Sequence, residues 1–245
     1  MTKSLDLLSE SRSAGDYLKA VYALGGAEGV ATTGAIAERL EVAPPSVTNM
    51  LQKLSSRRPP LVRYSKRGGA RLTESGRRMA LEMMRRHRLI ERFLHEVLGY
   101  GWEEVHAEAE KLEHVISEEM ADRIARRLGD PVFDPHGDPI PGKDGSLPER
   151  AELRLADLEI GARAIVARVP DRDPSVLLSI ARVGLLPGVS LEVARAGRGR
   201  ALVVRLPGAR RVRIVPRVVA EMVRVVETRP EDAGPAVPSS TGRRA

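Results

Sequence analysis

The sequence predicts an α+β protein in three parts: a helix-turn-helix with a β wing, a helical middle region, and a small carboxy-terminal β-barrel. Three observations predict it. Residues up to Gly76 form short amphipathic runs and then two β-like runs around a basic, glycine-containing tip. Arg77 to Leu128 repeat apolar positions at helical spacing, broken near Gly99-Tyr100-Gly101. Beyond Gly129–Glu149, which is dense in Pro, Gly and Asp, the texture changes to short β-rich runs separated by turns. The expected divisions are 1–76, 77–140, a linker over 141–152, a β domain over 153–229, and a tail of disordered composition over 230–245.

Within the β domain, strands are expected at Arg163–Val169, Ser190–Ala194, Ala201–Leu206 and Arg211–Val215. Helical pieces are expected at Pro174–Val183 and Arg217–Val223. The Arg-rich strands (Arg195, Arg198, Arg200, Arg205, Arg210, Arg211, Arg213) read as a solvated face, with a second anionic contact as the competing reading.

Composition narrows the chemistry. The 245 residues include no cysteine, which excludes disulfides, thiolate metal sites and a cysteine nucleophile, and fits a reducing cytoplasm. No apolar run approaches a membrane span, and Met1–Glu10 lacks the apolar stretch of a signal peptide, so a soluble cytoplasmic protein with no membrane partner is expected. Forty Lys and Arg against 33 Asp and Glu give a formal charge of +7, which suits a polyanionic partner.

The segment Ala31–Glu41 carries Ile36, Ala37 and Leu40 at helical spacing. Val42-Ala43-Pro44-Pro45 then turns the chain into a second helix, Ser46–Leu54, with Val47, Met50, Leu51 and Leu54 facing inward. Pro45 suits a first helical turn, where its missing N–H is not needed. Two such helices form a helix-turn-helix, whose second helix enters the major groove by its amino-terminal end. That end offers Ala43, Pro45, Ser46, Thr48 and Asn49 to thymine methyls and base edges. Lys66, Arg67 and Arg71, on the hairpin after Leu61–Tyr64, are placed to meet phosphates. The competing reading is a generic helical hairpin with a solvated basic loop.

The most specific chemistry lies in His106–Ser117, read as one helix. There His106, Glu110, Glu113 and His114 share a face, spanning an arc of roughly 100°. The preceding helix places His87 and Glu91 at i, i+4. Two antiparallel helices can converge such groups as carboxylate-metal bundles do. Imidazole and carboxylate donors without sulfur suit Mn(II), Fe(II), Co(II), Ni(II) or Zn(II). A solvated charged face with i, i+4 pairs is the competing reading, and His95 is read as surface.

These runs, together with GDPVFDPHGDPIPG, the wing and the β domain, resemble the diphtheria toxin repressor family, in particular its manganese-sensing branch. The resemblance extends to Arg229. It implies a winged helix-turn-helix DNA-binding domain, a helical metal-binding and dimerisation domain, and a Src-homology-3-like barrel. It further implies a homodimeric repressor of metal-uptake genes that acts on a palindromic double-stranded operator. Carried over by position, the primary metal site is Asp16, Glu110, Glu113 and His114. The ancillary site is His87, Glu91 and His106, completed from the barrel by Asp173, with Asp171 behind it. Asp16 and Glu110 stand where the iron branch has sulfur ligands, so Mn(II) is the expected activator, with Fe(II) second and other divalent transition metals active in vitro. The chain departs from the pattern at Lys19, where short manganese-branch members have glutamate, at Val176, where a second barrel ligand falls, and in the longer Arg57–Pro60 loop. A winged-helix regulator of another ligand and a small metallohydrolase remain as alternatives. No HExxH motif accompanies the candidate ligands.

Overall fold

The computed structural model describes residues 2–25, 29–197, 201–209 and 211–228, with side chains from residue 14 onward. The expected tail at 230–245 and Arg198, Arg200 and Arg210 lie outside the described residues. The chain divides into two compact units, residues 1–134 with 139–148, and residues 135–138 with 149–245.

The first unit opens with helix α1 (Thr2–Gly25), followed by α2 (Thr33–Leu40) and α3 (Pro44–Ser56). Thr32 caps α2, its hydroxyl accepting from the Ala35 N–H at 3.2 Å. Glu41 ends the helix in the left-handed region (φ 54°), and its N–H returns to carbonyls of the last turn. Pro44 and Pro45 start α3, where a missing N–H costs nothing. Val47, Leu51 and Leu54 are buried against Leu18, Val21 and Ile36, which fixes the angle between the two short helices. The wing is a hairpin of β1 (Val62–Ser65) and β2 (Gly69–Leu72), with Val62 opposite Leu72 and Ser65 opposite Gly69. Ala31 and Ala70 exchange backbone hydrogen bonds at 2.9 Å, which seats the wing beside the start of α2.

Helix α4 (Glu74–Glu96) begins at the wing, capped by the Thr73 hydroxyl. Gly76 sits directly under the Leu61 carbonyl: a Cβ there would lie 1.9 Å from that oxygen. Only glycine permits this approach. On α4, Arg85, Arg88 and Arg92 donate to the carbonyls of Pro141, Pro139 and Phe133. Part of the Pro- and Gly-rich segment is thereby packed on the helix, although it forms no helix or strand.

The sequence reading of two long helices over Arg77–Leu128 is corrected to three. Helix α5 (Val105–Leu112) stops after Leu112, and a turn precedes α6 (Glu118–Arg127). Ser117 caps α6 by accepting from the Met120 N–H at 3.1 Å, with Glu118 and Glu119 in the first turn. Glu113 and His114 therefore lie in the turn after α5, where Glu113 keeps right-handed dihedrals and its N–H still reaches Ala109 O.

The second unit is a six-stranded antiparallel sheet of β3 (Leu153–Arg154), β4 (Arg163–Arg168), β5 (Ser190–Ala196), β6 (Leu202–Arg205), β7 (Arg213–Val215) and β8 (Arg224–Thr228). Its order is β3-β8-β4-β5-β6-β7, with β3 and β7 at the edges. Helix α7 (Pro174–Val183) follows β4, and α8 (Arg217–Met222) follows β7. The alternation in β4 and β5 sends Ala164, Val166, Leu191 and Val193 inward. Strands β3 and β8 are additions to the sequence reading, and β8 lies between β3 and β4. Arg195, Arg205, Arg211 and Arg213 are exposed, and Arg205 reaches Glu192 at 3.3 Å.

Candidate metal centre

Two clusters of candidate ligands form inside the first unit. Asp16 of α1, Glu113 and His114 make the first, their donor atoms lying within 4.8 Å of one another. His114 Nε2 is 3.2 Å from both Asp16 Oδ1 and Glu113 Oε1. Gly15 allows the approach: a Cβ there would sit 3.1 Å from Met83 Cε and 3.6 Å from His114 Cε1. The break after Leu112 matters here, because Glu113 and His114 meet α1 from a turn.

His87, Glu91 and His106 make the second cluster. His87 Nε2 is 2.9 Å from Glu91 Oε1 and 3.1 Å from His106 Nδ1, and the two imidazole rings meet edge-on at 4.8 Å. His106 Nδ1 also lies 2.9 Å from Glu91 Oε1. Both histidines and Glu91 are at most slightly exposed, and Glu91 is fully buried.

Glu113 joins the clusters. Its Oε2 is 2.7 Å from His87 Nδ1, and its Oε1 meets His114 and the Lys19 ammonium. Burial disfavours the His87 imidazolium, but attraction to Glu91 and hydrogen bonds to Glu113 and Glu91 outweigh it and push the group up to about 10. Burial would likewise raise the Glu113 carboxyl, yet His87 and Lys19 hold it below the ordinary glutamate value. His87 thus lies between the two carboxylates, and the Lys19 ammonium lies on the other side of Glu113.

The expected residues are thus distributed as follows. Asp16, Glu113 and His114 come together, as do His87, Glu91 and His106. Glu110 joins neither group: its side chain is half exposed and 3.8 Å from His106 Nε2. The shared helical face implied a tighter grouping, but the Glu110 carboxylate lies toward His106 and solvent whereas Glu113 is buried. Asp173 belongs to the second unit, where it caps α7, Oδ1 accepting from the Ser175 and Val176 N–H groups at 2.8 and 3.4 Å. The sequence reading named Lys19 as a departure from the family pattern, and the structure places it in the first cluster, i, i+3 after Asp16 on one face of α1.

On the reading side, Ala43, Pro45, Ser46 and Asn49 are exposed at the start of α3, and Thr48 is half-buried. Lys66 and Arg67 are exposed at the wing tip and Arg71 on β2.

Three family models match in order. The iron-dependent repressor amino-terminal DNA-binding domain matches residues 10–70, and the iron-dependent repressor metal-binding and dimerisation domain matches residues 73–142. A FeoA domain matches residues 153–227. The iron-dependent repressor IdeR of Mycobacterium leprae is 35% identical over 223 residues, which is 85% of this chain and 94% of that protein. The chain belongs to the iron-dependent repressor family. This is the diphtheria toxin repressor family of the sequence reading. A manganese-dependent transcriptional repressor solved with manganese superposes with TM-score 0.80 at 37% identity, covering 88% of this chain and all of that one. ScaR with bound zinc superposes with TM-score 0.72 at 33% identity, over 88% and 99%. The protein is therefore a metal-dependent transcriptional repressor and not an enzyme, which removes the metallohydrolase alternative. A repressor of this family depends on a divalent metal, and its domains give it DNA and a second copy of itself as partners. Among the described residues no helix is long and apolar enough to cross a membrane.

Proposed function

We propose that this repressor is activated by Mn(II), with Fe(II) as a second activator, and that it closes a palindromic operator of metal-uptake genes from the cytoplasm. One observation carries the reading: Asp16, on a helix packed in the same core as α3, meets Glu113 and His114 with oxygen and nitrogen donors only. Hard carboxylate oxygens favour Mn(II) and tolerate Fe(II), whereas thiolate or thioether donors would favour softer ions.

Asp16, Glu113 and His114 would hold the cation, with Glu110 completing the set from its exposed position on α5. A cation held by these residues would tie α1 to the turn after α5. Asp16 then constrains α1, and through Leu18 and Val21 the packing of α3. Such linkage requires only that metal bind the DNA-competent arrangement more tightly. His87, Glu91 and His106 form an ancillary site that strengthens the response. Exposed Val97, Leu98, Tyr100, Val115 and Met120 all fall within the matched dimerisation domain and offer apolar surface for the homodimer.

The test is an anaerobic DNA-binding titration with Mn(II), Fe(II) and Zn(II), on the parent and on Asp16→Met with Glu110→Cys. Mn(II) should activate the parent at least as well as Fe(II), and the double variant should gain response to softer metals at manganese's expense. A parent that answers Fe(II) and ignores Mn(II) would refute the manganese assignment.

A further inference from the structure

Lys19 lies one turn after Asp16 on α1, and its side chain is mostly buried. Its ammonium donates to Glu113 Oε1 and lies 3.6 Å from Asp16 Oδ1. His114 Nε2 converges on those same two oxygens at 3.2 Å. An ammonium thus sits on the carboxylate lone pairs that a divalent cation held by Asp16, Glu113 and His114 would need.

We propose that Lys19 is an exchangeable resident cation of the first cluster: metal binds there only by displacing its ammonium, so Lys19 sets the metal threshold. The proposal rests on the ligand assignment made above. Three physical points support it. Glu113 is fully buried and Asp16 is near it, so without a positive group the pair would be costly. A lysine ammonium is a compact charge on a flexible stem, able to fill the place and to leave it. The side chain retains 18% exposure, a route by which the ammonium can reach solvent without unfolding α1. While in place, Lys19 also ties α1 to the turn after α5, so exchange replaces a singly charged link by a stronger one between the same two elements.

Lys19→Gln should bind Mn(II) about tenfold more tightly or better by equilibrium dialysis, because no ammonium competes for Glu113 Oε1. Its thermal midpoint without metal should fall below the parent's, and its metal-induced rise should exceed the parent's. Lys19→Arg, which keeps the charge, should bind within about twofold of the parent. In the unmutated full-length protein, acylation of Lys19 by an amine-reactive probe, read by mass spectrometry, should increase several-fold on saturation with Zn(II), while Lys143 stays unchanged. Equal Mn(II) affinity of parent and Lys19→Gln, or unchanged Lys19 labelling on metal saturation, overturns the exchange while leaving the ligand assignment intact. If Asp16→Ala and His114→Ala bind Mn(II) as well as the parent, the ligand assignment fails, and the exchange with it.

Discussion

At the scale of single residues, the two clusters differ in what they hold together. Asp16, Glu113 and His114 connect α1 to the turn after α5, whereas His87, Glu91 and His106 connect α4 to α5. Only the first connection reaches a helix of the reading domain. His114→Ala should therefore abolish metal-stimulated DNA binding in a gel-shift assay while the dimer persists in sizing chromatography. His106→Ala should raise the metal concentration needed and leave the maximum response. Equal damage from the two substitutions would mean that the clusters rank differently. The reading residues separate in the same way. Arg67→Ala, at the wing tip, should weaken binding to cognate and random DNA alike and make the salt dependence shallower. Asn49→Ala should weaken cognate DNA more than random DNA, and matched losses would remove it from the specificity group.

Elements carry their own predictions. Gly76→Ala places a methyl group on the Leu61 carbonyl at a distance no carbon tolerates, so either α4 or the wing must shift. A loss of about 2 kcal/mol or more is expected in chemical denaturation, typical of backbone strain at a constrained site. A variant as stable as the parent would show that the two elements can slide apart freely. Truncation after Val223 removes β8, the strand between β3 and β4, and should abolish cooperative unfolding of the sheet domain. That strand is also where sequence reasoning fell short. Helix α7 was legible to the residue, because Asp173-Pro174 opens it and Gly184, at φ 87°, closes it. Strand β8 follows α8 across Val223 alone, without a Gly, Pro or Asn to punctuate the change. The helix break after Leu112 was hidden for a different reason: Glu113 keeps helical dihedrals, so the spacing of His106, Glu110 and Glu113 runs through it undisturbed. Spacing and family resemblance therefore both grouped Glu110 with Glu113. The meeting of Asp16 with His114 came from family resemblance, since periodicity cannot place residues almost a hundred positions apart.

For the molecule as a whole, the second unit has a charge network that makes its stability depend on pH. Arg150 and Arg168 both bind Glu152, and Arg168 also reaches Asp138 at 3.2 Å. Burial would raise the Glu152 carboxyl, but the two guanidinium groups hold it below the ordinary glutamate value. A carboxylate depressed in the folded state stabilises above its unfolded pKa, about 4.3, and loses that contribution as pH falls through the folded value. Glu152→Gln should therefore lower the thermal midpoint most near neutral pH, and the gap to the parent should close as pH falls below the ordinary glutamate range. A gap independent of pH would show that the arginines hold Glu152 by packing and not by charge.

The donor set has one consequence outside binding. A sensor built on thiolate can be disabled by peroxide, because sulfur climbs through sulfenic to irreversible acids. Asp16, Glu113, His114, His87, Glu91 and His106 offer that chemistry no sulfur, and the chain contains no cysteine elsewhere. Peroxide therefore has no ligand sulfur to oxidise in either cluster, and oxidant can reach the sensor only through the bound metal or the methionines.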